Sequence, residues 1–281
     1  MKLKELLNYS KKYLENNNIE DAILISKLLV QYIMGISKDK IIIYYDKNIT
    51  DIELSKYKKL LDQIVKGVPI QYIIKKQEFM KLDFYVDENV LIPQPDTEIL
   101  VEEVIKKYIN KSCEILDLCT GSGAIAVSLA KYIEKSSITA SDLSKNAIEI
   151  AKLNAKNNNV DNKITFIESN MFEKIKYNEF DVIVSNPPYI ESDEIAKLSL
   201  QVKSEPHMAL DGGMDGLDFY RIIIDNSYKY IKDCGNLFLE IGYNQKDKVF
   251  NLLKESNHYE DYYCIKDLSE NDRAIVATVR R

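Results

Sequence analysis

From residue 113 onward, short apolar runs alternate with longer stretches of helical period, and this alternation restricts the chain to one broad architecture. Strand-like runs fall near 113–118, 137–142, 163–167, 180–185 and 235–241, with helical patterns near 123–134, 144–157, 215–232 and 245–255. A strand that is apolar at nearly every position is buried on both faces, and helices between consecutive strands cover both sides of a parallel sheet. The chain therefore reads as α/β. Two further runs, near 261–265 and 273–279, have no helix between them and are expected to pair antiparallel.

The segment ahead of the alternation reads differently. Leu3, Leu6 and Leu7 recur with helical spacing, as do Ala22, Ile25, Leu29, Tyr32 and Ile33, and then Leu54, Tyr57, Leu61, Ile64 and Val65. Thr50, Asp51 and Glu53 suit a capped helix start, with acids at the positive end of the dipole. We expect a small helical domain over 1–75, which contains no cluster of catalytic residue types. Over 76–95 the period falls to two: Leu82, Phe84 and Val86 alternate with Asp83, Tyr85 and Asp87, and Val90 and Ile92 follow. With Asp87-Glu88-Asn89 as turn formers, this predicts a β-hairpin linker. The remaining domain spans 96–281, its first helix beginning at Asp96-Thr97-Glu98.

Bulk properties remove several function classes. A net charge of −6 argues against direct binding of nucleic acid, where affinity comes largely from neutralised phosphates. The four cysteines (Cys113, Cys119, Cys234, Cys264) have no metal-ligand spacing, and only two histidines, His207 and His258, are present. No metal site is expected. The amino terminus carries charges throughout, and no apolar run approaches the roughly 18 residues of a membrane span. A cytoplasmic protein with no membrane partner is the expectation.

Two loops carry chemistry. Glu114 to Leu118 is a strand that runs into Cys119-Thr120-Gly121-Ser122-Gly123 and then a helix. Glycines there permit a sharp turn and a close ligand approach, and Asp142, ending the next strand, can accept hydrogen bonds from a ribose diol. The pattern fits a dinucleotide as well as S-adenosylmethionine. Asp117, just ahead of the turn, favours the latter, because a carboxylate suits a cationic amino-acid end better than a pyrophosphate. The second loop is Asn186-Pro187-Pro188-Tyr189, delivered by the apolar strand Phe180 to Ser185. Ligands in parallel α/β sheets bind beyond the carboxyl ends of strands, so the two loops fall on one edge. A planar NH2 group has a delocalised lone pair and is a poor nucleophile. The Asn186 side-chain oxygen and the Pro187 carbonyl suit its two hydrogens, and Tyr189 can stack on its flat face. Catalysis would then rest on positioning and electrostatics.

Together these loops resemble class I amino-methyltransferases. The flanking segments resemble one family more closely: Leu91-Ile92-Pro93-Gln94-Pro95-Asp96-Thr97-Glu98, Glu205-Pro206, Ala209-Leu210-Asp211-Gly212-Gly213, Asp215-Gly216-Leu217, Tyr220-Arg221, Leu239-Glu240-Ile241-Gly242, Lys266-Asp267-Leu268 and Asp272-Arg273. These are similar to the release-factor glutamine methyltransferases, well over about 67–281 and in general layout before that. The resemblance implies a Rossmann-like, seven-stranded, mostly parallel sheet behind a helical substrate-recognition domain. It implies transfer of a methyl group from S-adenosylmethionine, leaving S-adenosylhomocysteine, to the N5 amide of the glutamine in the Gly-Gly-Gln motif of class-1 peptide release factors. Carried over by position, Cys119 to Gly123 would wrap the amino-acid part of the cofactor and Asp142 would hold the ribose. Asn170 and Met171 would lie beside the adenine, and Asn186, Pro187, Pro188 and Tyr189 would bind the glutamine. Glu205, Pro206 and Arg221 are further substrate-side candidates. The sequence departs from the family at several positions: Cys119, Lys75 and Lys81 stand where glycine is usual, Gln94 where arginine is, Asn170 for aspartate and Met171 for tryptophan. Rival readings are an N5-glutamine methyltransferase of a ribosomal protein, a nucleic-acid adenine N6-methyltransferase, and a cofactor-binding protein without activity.

Overall fold

The computed structural model describes residues 1–177 and 180–280; Arg281, the end of the expected catalytic domain, lies outside them. The chain divides into two compact units, residues 1–75 with 198–204, and residues 76–197 with 205–281.

In the first unit, α1 (Leu3–Asn16), α2 (Ala22–Met34), α3 (Asp51–Val65) and α4 (Ile70–Ile74) enclose a core that includes Leu6, Leu14, Leu29, Leu61 and Ile64. Thr50 caps α3 as its sequence predicts: its hydroxyl accepts from Glu53 N at 3.2 Å, and Glu53 Oε2 accepts from Thr50 N at 2.9 Å. Tyr57 is buried, and its hydroxyl donates toward Ser10 Oγ (2.9 Å) and the Ser26 carbonyl (3.1 Å), tying three helices through one polar group.

The second unit opens with a hairpin, but not where the alternation places it. β1 (Gln77–Phe79) pairs antiparallel with β2 (Leu82–Phe84) around Met80 and Lys81, whose φ angles are +50° and +58°. Two consecutive positive φ values match the right-handed twist of short hairpins. Phe79 and Phe84 set this register by meeting edge to face at 6.1 Å between centroids, both buried. The expected second run, Val90 and Ile92, is buried but lies outside the strands among the described residues; Asp87 instead closes a local turn by accepting from Asn89 N at 3.0 Å.

The elements then follow as α5 (Glu98–Tyr108), β3 (Cys113–Leu118), α6 (Ala124–Tyr132), β4 (Ser136–Asp142), α7 (Lys145–Asn157), β5 (Ile164–Glu168) and β6 (Phe180–Ser185). After them come α8 (Ser192–Ile195), α9 (Leu200–Lys203, in the first unit), α10 (Asp218–Ser227), β7 (Ile231–Glu240), α11 (Lys246–Ser256), β8 (Tyr259–Lys266) and β9 (Asp272–Val279). Among the described residues β3 to β9 form one seven-stranded sheet in the order β5-β4-β3-β6-β7-β9-β8. The first five strands run parallel, and β9 is antiparallel to both its neighbours. One apolar layer, with Leu100, Val104, Ile125 and Leu129, covers one face; another, with Tyr220, Ile223, Val249 and Leu253, covers the other. The chain runs outward from β3 through β4 to β5, then returns to place β6 on the opposite side of β3. That reversal opens a crevice at the carboxyl ends of β3 and β6, where such sheets bind ligands.

Candidate active site

Strand register brings the loops together. Leu118 pairs with Ser141 on one side and Ser185 on the other, so Cys119, Asp142 and Asn186 leave the sheet side by side. Asp142 in turn pairs with Glu168, which adds Ser169, Asn170 and Met171 to the same edge. Ser185 Oγ donates to the Leu118 carbonyl at 2.8 Å and Thr120 N to the Ser141 carbonyl at 2.9 Å, locking the exits to one another.

The 119–123 turn uses three left-handed residues: Cys119 (φ +61°), Gly121 (+53°) and Gly123 (+81°). At Cys119 this conformation costs about 1–2 kcal/mol relative to glycine. Gly123 packs tightly: a Cβ would stand 3.0 Å from that of Ala151, and its φ of +81° is one that side chains rarely adopt. Gly121 differs. A Cβ there would meet nothing within 4 Å, and the residue faces an open cavity. Asn154, fully buried on α7, braces the turn by donating to the Ser122 carbonyl at 2.8 Å while exchanging hydrogen bonds with the Tyr85 backbone.

Asp117 lies beneath the turn and off the cavity wall. Its Oδ2 accepts from Thr120 Oγ1 (2.6 Å) and Ala126 N (3.2 Å), while its buried Oδ1 has no partner among the described residues. Burial pushes its carboxyl up to about 7. Asp142 is on the wall. Its Oδ2 accepts from Gly121 N at 2.8 Å and its Oδ1 from Ser144 N at 2.9 Å, leaving further lone pairs for a ligand. Burial raises its pKa also, against the pull of those backbone donors.

The cavity encloses about 280 Å³. Cys119, Gly121, Asp142, Asn170, Met171, Asn186, Pro188 and Pro206 of the sequence-predicted site all line it. Met171 is buried and meets Cys119 sulfur to sulfur at 3.9 Å, whereas the Asn170 side chain turns to Glu173 Oε1 at 2.9 Å. Thr120 and Ser122 border a small adjoining recess that shares Gly121 and Asn186 with the cavity. Leu143, Ala147 and Phe219 supply apolar wall that the sequence reading did not single out. Their only signal is that they flank motif strands or begin the helices after them. Among the described residues no group of His, Cys, Asp or Glu is arranged to hold a metal ion.

In Asn186-Pro187-Pro188-Tyr189, only Asn186 and Pro188 reach the cavity wall. Asn186 Nδ2 donates to Thr97 Oγ1 at 3.2 Å. Pro187 is buried and does not line the cavity. The Tyr189 hydroxyl lies 3.4 Å from Glu240 Oε1, and its carbonyl accepts from Gln245 Nε2 at 2.9 Å. Glu240, at the end of β7, is buried with Oε2 unpartnered among the described residues; burial lifts its carboxyl to about 7 while the Thr97 hydroxyl opposes the rise. Thr97, Glu240 and Gln245 are polar neighbours of the tetrapeptide that sequence reasoning did not place in the site.

The other candidates divide. Pro206 lines the cavity, but Glu205 does not: buried, it accepts from Ile92 N at 2.9 Å, with its carboxyl raised to about 7 by burial. Arg221 is away from the cavity. Its guanidinium grips Asp215 and meets Asp218 Oδ1 at 3.0 Å, so it closes the loop ahead of α10 rather than facing a ligand. That loop presses on the motif, because a Cβ at Gly212 would stand 2.7 Å from Tyr189 Cα.

The Methyltransferase small domain family matches residues 94–214, and the PrmC N-terminal domain family matches residues 5–74. The release factor glutamine methyltransferase of Clostridium acetobutylicum is 40% identical, over 99% of this chain and 98% of that protein. The chain belongs to the release factor glutamine methyltransferase family. The Geobacter sulfurreducens member of the family is 34% identical, over 97% of this chain and 95% of its own length. A solved structure of the T. thermophilus 16S rRNA N2 G1207 methyltransferase, in complex with AdoMet and guanosine, shares the fold: its TM-score is 0.53 at 16% identity, over 73% of this chain and 50% of that one. The family's helical amino-terminal part and its sheet domain are thus both represented here.

Proposed function

We propose that the protein uses S-adenosylmethionine to methylate the side-chain amide nitrogen of the glutamine in the Gly-Gly-Gln motif of class-1 peptide release factors. The observation that carries this reading is the placement of Asn186 at the junction of cavity and recess, beside Gly121 and across from Asp142. The residues fit the cofactor on three counts. Gly121 offers open space where any side chain would intrude. Asp142 keeps lone pairs for a ribose diol. Met171, Leu143 and Phe219 give apolar wall for a base. Asp117, off the wall with a bare buried oxygen, would act on a cationic group through the turn rather than by direct contact.

Bound there, S-adenosylmethionine would supply an electrophilic methyl carbon. The chain's own part is to present the amide. Asn186 Oδ1, turned away from Thr97, accepts one amide hydrogen, and the Pro187 carbonyl is the candidate acceptor for the other. Fixing both hydrogens aims the nitrogen's out-of-plane density at the methyl group, which is catalysis by orientation. Tyr189, held toward Glu240, would pack on the amide plane. We place Pro188 and Pro206 on the substrate side as wall, with Glu205 behind them holding Ile92 N, and give Arg221 a loop-closing part only. The helical unit carries exposed Ile42 and Ile43, and we assign it to gripping the release factor. Such a substrate is met in the cytoplasm, and the acidic balance disfavours nucleic acid as the acceptor.

The test is transfer of labelled methyl from S-adenosylmethionine to purified release factor, beside a Gln→Ala variant of its Gly-Gly-Gln motif. Label on the unaltered factor alone is expected. Equal label on both, or on neither, would refute the assignment.

A further inference from the structure

We infer that Asn154 is a positioning residue for the cofactor: its side-chain amide ties the linker segment at Tyr85 to the 119–123 turn, and so fixes two walls of the cavity in which S-adenosylmethionine is proposed to lie. The inference rests on that placement of the cofactor. Two segments distant in sequence supply wall here. Asn89, Val90 and Leu91 line the cavity from the linker, and Cys119 and Gly121 line it from the turn. Among the described residues the linker hairpin is a sheet of its own, separate from the seven strands, so no strand ladder sets the distance between these walls.

Asn154 supplies the connection. It is fully buried on α7 and does not line the cavity. Its Oδ1 accepts from Tyr85 N at 2.7 Å, while Nδ2 gives one hydrogen to the Tyr85 carbonyl at 2.9 Å and the other to the Ser122 carbonyl at 2.8 Å. Both hydrogens are used. Turning the amide over would set donor against donor at Tyr85 N and oxygen against oxygen at the two carbonyls, so the side chain has one orientation. The same face of α7 carries the rest of the register, since residues at i, i+3 and i+7 lie together on a helix. Ala151 seats Gly123, whose added Cβ would stand 3.0 Å from its own, and Asn158, just past the helix end, donates to the Asp83 carbonyl at 3.1 Å. Of the three, Asn154 alone bonds to both segments. Near its start α7 also reaches the wall itself, where Asn146 Nδ2 donates to Asn89 Oδ1 at 3.0 Å. Turn and linker are therefore spaced against one helix before any ligand arrives. A cofactor that meets walls already spaced does not have to order them, and it binds more tightly for that reason.

The test measures S-adenosylhomocysteine affinity by calorimetric titration, beside thermal unfolding, for wild type, Asn154→Leu, Asn154→Asp and Val160→Ala. Leucine keeps the volume and removes all three hydrogen bonds; aspartate keeps the acceptor for Tyr85 N and turns oxygen toward both carbonyls. Val160, buried in the core just past α7, controls for stability lost away from the walls. We expect both Asn154 variants to raise Kd about 10-fold or more and Val160→Ala to stay within about threefold, at a temperature where all are folded. In release-factor methylation the loss should fall on KM for S-adenosylmethionine, with kcat within about threefold. Should leucine prevent folding, Asn154→Asp carries the comparison. Wild-type affinity in the folded Asn154 variants, an equal rise of Kd in Val160→Ala, or a loss carried by kcat alone would overturn the inference. Failure of the cofactor reading is separable, because it shows as a wild-type enzyme that binds no S-adenosylhomocysteine. Amide hydrogen exchange in the ligand-free protein then decides. The tie requires the Asn154 variants to speed exchange at Tyr85 and at Gly121 to Gly123 together, beyond any change in Val160→Ala; either segment left at the wild-type rate would refute it.

Discussion

Replacing Gly121 by alanine separates folding from cofactor binding more cleanly than any change to a charged residue. The new Cβ meets no protein atom within 4 Å, so the substitution introduces no overlap in the ligand-free fold. Its cost there is conformational: φ is +53°, and an L-residue in that region loses about 1–2 kcal/mol. Restricting the unfolded chain returns about 0.4–1 kcal/mol. The net is about 0–1.6 kcal/mol, and for a chain of 281 residues that lowers Tm by at most about 6 °C. With ligand the account changes. The methyl projects into space that the cofactor is proposed to fill, and overpacking of this kind costs about 1–3 kcal/mol, or roughly 5- to 150-fold in Kd. The assay is calorimetric titration with S-adenosylhomocysteine beside a thermal melt. Gly212→Ala is the control: its Cβ would meet Tyr189 Cα at 2.7 Å and the Pro188 carbonyl at 2.9 Å, so the fold around the motif must give way first. Wild-type affinity in Gly121→Ala would refute the placement of the cofactor, and a melt lowered by about 10 °C would refute the reading of an unobstructed turn.

Two further outcomes follow from other parts of the molecule. Glu205 titrates near about 7 against an ordinary 4.5, so the folded state holds its proton more tightly; stability is full below pH 4.5 and falls as pH rises through about 7. Glu205→Gln should flatten that decline by up to about 3 kcal/mol in denaturant titrations across pH 4 to 8, and an unchanged slope would count against a buried carboxylate. Ile43, 76% exposed in the helical unit, should contribute to substrate docking and little to folding, so Ile43→Asp is expected to raise KM for release factor about fivefold or more at unchanged cofactor affinity. Kinetics equal to wild type would remove this position from the docking surface.

How far the sequence leads depends on how the information is laid out along the chain. β3 and β6 appear at 113–118 and 180–185 in both readings because strands buried on both faces are apolar almost from end to end. β7 begins at Ile231, earlier than its periodicity suggests, since Lys232, Asp233 and Cys234 interrupt the apolar run and Cys234 adopts φ +63°. Helices α8 and α9, of four residues each, are too short to show a period. The hairpin was displaced for a different reason. Asp87-Glu88-Asn89 has the composition of a turn and makes one, but the strand-reversing turn is Met80-Lys81, whose residue types give no such signal. In the site, the 119–123 turn, Asp142 and Asn186-Pro187-Pro188-Tyr189 are legible because each is contiguous and follows a strand. Thr97, Glu240 and Asn154 are not, because their partners come from distant segments and meet them only in the folded sheet.

The departures from the family pattern are informative for the same reason. Lys75, Lys81 and Cys119, each where glycine is usual, adopt φ of +56°, +58° and +61°. The surrounding fold therefore imposes the left-handed turn on whatever residue is there, and glycine elsewhere only makes that turn less costly. Cys119 and Met171 look like separate losses in sequence, one of a glycine and one of a flat aromatic. In the structure their sulfurs are 3.9 Å apart on the cavity wall. A small residue at 119 leaves room for a wide ring at 171; a thiol at 119 fills part of that room and suits a narrower, flexible thioether. The two residues thus share one piece of the wall. Restoring either partner alone should leave a gap or an overlap, while Cys119→Gly with Met171→Trp together should recover packing that neither achieves singly, as a non-additive gain in melting temperature.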